Sequence, residues 1–111
     1  MALRATVLDA YLKNIKRNLR RLLLNSESHN RIKNCQLDPF LTQLRELIKE
    51  FESFEKQISK QPLTSIDIQT DVVGIIRHFV KQYHRLIADI NIVYRDRCCM
   101  TEIPNREDYL P

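Results

Sequence analysis

A single glycine, Gly74, serves the whole 111-residue chain, alongside only four prolines. Sandwiches and barrels reverse direction many times and draw on Gly and Pro to do so, so the chain is expected to be helical. The same shortage excludes Gly-rich phosphate loops, a dinucleotide fingerprint and a nucleophile elbow, and with them most small enzymes. With 43% hydrophobic and 29% charged residues, the chain is apolar enough to bury a core and short enough to form one domain.

Apolar spacing then places the helices. At 100° per residue, Leu8, Tyr11, Leu12, Ile15, Leu19, Leu22 and Leu23 fall within about 60° of one line, which predicts an amphipathic first helix. Leu24 drops onto the opposite, basic side, so the regular pattern is expected to end near it, and the polar stretch 25–36 reads as a loop. Asp38 followed by Pro39 is a cap and a first helical position, which starts helix two at Pro39. Its apolar positions run from Phe40 through Leu44, Ile48 and Phe51 to Ile58, and Pro62 breaks the pattern.

The third segment starts after Ser65 or after Thr70, both suitable caps, and reaches about Arg97. It is expected to be the longest helix, and its apolar arc is the widest of the three, because Ile75 and Val93 extend it past Phe79 and Leu86. The predicted fold is an all-α, three-helix antiparallel bundle over residues 1–99, with an extended tail over 100–111 that contains two prolines. Gly74, inside the third helix, marks either a close approach by another helix or a fraying start.

Charge is unevenly divided. Residues 1–25 hold six basic and one acidic side chain, residues 26–61 six of each, and residues 62–111 six basic and seven acidic. Lys13, Lys16, Arg17, Arg20 and Arg21 share one face of the first helix and form a candidate anionic-surface site. That face is either simply solvated, or meets an acidic protein surface, or lies against nucleic-acid phosphates or an anionic membrane. No aromatic residue interleaves with it, so base reading is not indicated.

Catalysis and metal binding find little support. The sequence has no C-x-x-C and no histidines four apart, and His78 and His84 lie about 120° from each other around a helix. The helix-two carboxylates alternate with lysines, as solubilising charge does, so no catalytic residue, metal or cofactor is expected. Three cysteines, without regular spacing, do not suggest a disulfide framework; Cys98 reads as a small core residue and Cys99 as outward-facing.

No apolar stretch is long enough to span a membrane. The absence of a secretory signal points to the cell interior, nuclear or cytoplasmic. A mitochondrial presequence is the competing reading of the basic start, with Asp9 and the lack of serine before Ser26 against it. The resulting expectation is a non-enzymatic interaction subunit of a larger assembly. It would dock onto another chain or its own copy through Ile75, Leu86, Val93 and Tyr94 of the third helix, with the basic first helix as a second contact. The alternative is a nucleic-acid-associated protein that contacts phosphates through the first helix.

Overall fold

The computed structural model describes residues 5–59 and 66–98. Three α-helices account for nearly all of them: α1 over Ala5–Lys33, α2 over Asp38–Ser59 and α3 over Ile66–Val93, the last continuing into a single π-helical turn over Tyr94–Cys98. The tail over 100–111 lies outside the described residues. The particle is elongated, 48 × 23 × 17 Å.

Side-chain pairs fix the directions. Lys16 meets Glu55, Arg20 meets Glu52 and Glu27 meets Arg45, so numbers rising along α1 fall along α2 and the two helices are antiparallel. Gln43 meets Arg85, and Phe51 and Phe54 meet Phe79, which makes α3 antiparallel to α2. His29 packs on Tyr94, so α3 ends beside the end of α1 and the two run parallel. The result is an up-down-up three-helix bundle around one continuous apolar core.

The main departure from the sequence reading is in α1, which does not stop near Leu24 but continues through Lys33. The inward series Ile15, Leu19, Leu22 keeps its three- and four-residue spacing into Ser26, which is fully buried, and on to the half-buried His29 and Asn30. The helical period persists there; polar side chains occupy its inward positions, which hides it from an apolar count. With this extension α1 has 29 residues against 28 for the regular part of α3, while α3 with its π-helical turn, over 66–98, is the longer helical run.

The predicted loop over 25–36 therefore shrinks to residues 34–37. Asn34 and Gln36 both take left-handed backbone conformations, at φ 49° and 59°. Asn is the usual alternative to Gly just past a helix end, whereas Gln36 carries a penalty of roughly 1–2 kcal/mol. Cys35 and Leu37 turn inward between and after them and are buried. Burying Leu37 is worth roughly 2 kcal/mol, enough to offset the strained neighbour.

Asn30 braces the same turn: its Oδ1 accepts the Leu37 N–H at 2.8 Å and its Nδ2 donates to Asp38 Oδ1 at 3.3 Å. The Leu37 carbonyl accepts from the Phe40 and Leu41 N–H groups, so Leu37 takes the cap position. Asp38 lies in the first turn, where the helix dipole favours a carboxylate, and α2 begins one residue earlier than the sequence suggests.

Of the two candidate starts for α3, the structure takes the one after Ser65. Regular helix ends at Val93, short of the predicted Arg97. Gly74 is exposed, and a Cβ built on it would meet nothing within 4 Å. Among the described residues no helix approaches it closely.

Candidate interaction surface

Of the four α3 residues expected to face a partner, only Ile75 stands out from the bundle, 40% exposed beside Asp71, Gly74 and His78 on a shallow surface depression. Leu86, Val93 and Tyr94 are corrected: all three are buried in the chain's own core, at 2%, 7% and 0% exposure. The breadth of the α3 stripe has an internal cause. A helix in a three-helix bundle packs against two neighbours, and α3 presents Phe79 to the aromatic pair on α2 and Tyr94 to His29 on α1. A stripe that looks surplus against one helix is, Ile75 apart, used against two.

Tyr94 lies in a small polar cluster with His29 and Ser26 at one end of the bundle. Its ring meets His29 edge to face at 5.4 Å, and its hydroxyl lies 3.0 Å from His29 Nδ1. Burial raises the Tyr94 pKa above that of a free phenol, with a smaller opposing pull from Ser26. The Ser26 hydroxyl faces this site but completes no hydrogen bond of proper geometry, which leaves it buried and unpaired.

Cys35 borders the same cluster, its sulfur 3.7 Å from the His29 carbonyl oxygen. It is disulfide-bonded, against the expectation of three unpaired cysteines. Three cysteines at irregular spacing give no sign of this bond in the sequence.

The five cations of α1 separate into two groups. Lys13 pairs with Asp9 at 3.0 Å within the helix, Lys16 with Glu55 at 3.2 Å and Arg20 with Glu52 at 3.3 Å. Part of the basic face is thus met by acids of the chain itself. Arg17 and Arg21 form no ion pair among the described residues, although Arg21 lies near enough to Tyr83 to oppose the rise in its pKa that burial causes. The extension of α1 adds Arg31 to this outward arc, and two aliphatic side chains join it: Leu24, 67% exposed, and Ile32, 71% exposed. The sequence reading missed Arg31 and Ile32 as surface residues of a helix because it ended α1 too early.

Among the described residues no three or more His, Cys, Asp or Glu side chains gather as a metal site would require, and no helix is long and apolar enough to cross a membrane. The depression between α2 and α3 is open and lined mainly by charged or polar residues, among them Gln43, Glu46, Glu50 and Arg85. No known family profile matches the chain, and no curated protein or solved structure shows significant similarity to it.

Proposed function

We propose that this chain is a non-enzymatic interaction subunit of a larger assembly. One observation supports the reading above others: the core is closed, yet Leu24 and Ile32 stand almost fully in water on the same side of α1, among arginines. Single exposed aliphatics are ordinary, but two on one helical arc framed by unpaired cations make a surface suited to a partner. On α3 the exposed aliphatics among the described residues, Ile75 and Ile92, are less exposed at 40% and 49%, which favours α1 over α3 as the principal docking element.

The test is recovery from the native source. The wild-type chain is expected to co-purify with a partner in stoichiometric amount, and the double variant Leu24→Asp, Ile32→Asp is expected to stay folded and lose it. A wild-type chain that sediments alone, or a partner retained by the double variant, overturns the proposal.

A second reading has its own support: Arg17, Arg21 and Arg31 could neutralise phosphates. It predicts binding to generic duplex whose salt slope falls by about 0.9 for each arginine removed. The compartment follows from the native state of Cys35. Disulfides persist in oxidising compartments, so an alkylation trap that finds Cys35 oxidised in cells argues against the nucleus and cytoplasm, and a reduced Cys35 supports them.

A further inference from the structure

We infer that the partner surface covering α1 is an acidic amphipathic helix, an inference that rests on the interaction-subunit reading and specifies its ligand. The bundle itself shows how this chain covers its cations. Glu52 and Glu55, three residues apart on α2, meet Arg20 and Lys16, four apart on the antiparallel α1. Arg17 and Arg21 repeat the same four-residue spacing further round α1, and no carboxylate meets them among the described residues. A second acidic helix laid along this outer side would reproduce the contact that α2 makes on the inner flank.

The aliphatics choose among anionic ligands. Leu24 and Ile32 gain nothing from phosphates, and the arc offers no aromatic ring on which a base could stack. Two aliphatics among several arginines form too narrow an apolar face to sink into a bilayer interface. Both are accommodated by a helix that places acidic residues opposite Arg17 and Arg21 and aliphatic ones opposite Leu24 and Ile32. From Arg17 to Ile32 the α1 axis advances about 22 Å, so the partner helix needs about 15 residues.

The experiment uses fluorescence anisotropy with the intact, oxidised chain and four probes: a labelled 16-residue Leu/Glu amphipathic peptide, the same peptide with Gln for each Glu, a 20-base-pair duplex, and phosphatidylserine vesicles. The Leu/Glu peptide is expected to bind most tightly. The triple variant Arg17→Ala, Arg21→Ala, Arg31→Ala and the single variant Leu24→Asp are each expected to weaken it by roughly tenfold, with unchanged helicity by circular dichroism. Equal affinity for the Gln peptide, indifference to these variants, or tighter binding of duplex or vesicles through the same arginines overturns the inference. If the peptide fails while the native partner is still lost with Leu24→Asp, Ile32→Asp, only the acidic-helix assignment falls and the interaction-subunit proposal stands.

Discussion

Replacing Gly74 with alanine should make this protein more stable, and the size of the gain follows from its surroundings. Gly74 lies well inside α3, on an exposed position, without a positive φ, and an added methyl group meets nothing within 4 Å. Nothing in the folded state opposes the change. Glycine in a helix interior is worse than alanine by about 0.8–1 kcal/mol, chiefly because its unfolded chain has more conformations to lose. In a domain of this size, a gain of 1 kcal/mol raises Tm by about 4–8 °C. In urea the midpoint should rise by roughly 0.8–1 M at unchanged slope, for a slope of about 1 kcal/mol/M. Partner recovery should be unaffected. A Gly74→Ala protein that is less stable, or that loses its partner, would mean that another helix does approach α3 at this point, which refutes the open surface described above.

Other substitutions probe the two ends of the argument. Ser26→Ala removes a buried hydroxyl without a hydrogen-bond partner and should leave stability equal or raise it by about 1 kcal/mol in urea titration; a loss above about 1 kcal/mol would show that the hydroxyl is satisfied. Leu86→Ala should destabilise the isolated chain by about 2–5 kcal/mol in the same assay, as a fully buried leucine does; a neutral effect would return Leu86 to the surface. Reducing the Cys35 disulfide should lower stability by roughly 2–4 kcal/mol, which thermal melts with and without reductant measure; identical melts would contradict a structural role for Cys35. Burial raises the Tyr94 pKa, so the phenol ionises more readily in the unfolded chain. Its contribution is full below the unfolded value near 10 and is lost as pH rises through the folded one, so Tyr94→Phe should flatten the alkaline fall in stability.

The helical class, the three-helix count and the antiparallel pairing of α2 with its neighbours are legible because Leu44, Ile48, Phe51, Phe79 and Leu86 keep the helical period with apolar side chains. The end of α1 is not legible by that signal, since Ser26, His29 and Asn30 continue the inward face with polar groups. Their partners, Tyr94, Leu37 and Asp38, are brought to them only by the fold. Apolar width misleads about the docking surface for a related reason. A wide stripe reports how much surface a helix must bury but does not say whether neighbours in the same chain cover it, and here α1 and α2 together do. The stripe that remains for a partner is mixed in character: spacing alone puts Arg17, Arg21 and Leu24 on one arc, and only the continuation of α1 through Lys33 adds Ile32 to it.

Hydroxyl-radical footprinting of the free chain and of the native assembly, read by mass spectrometry residue by residue, separates a docking surface on α1 from one on α3. Leu24 and Ile32 should be labelled in the free chain and protected in the assembly, while Leu86, Val93 and Tyr94 remain unlabelled in both. Labelling of Leu86, Val93 and Tyr94 in the free chain with protection in the assembly, or equal labelling of Leu24 and Ile32 in the two states, would contradict a closed core that docks through α1.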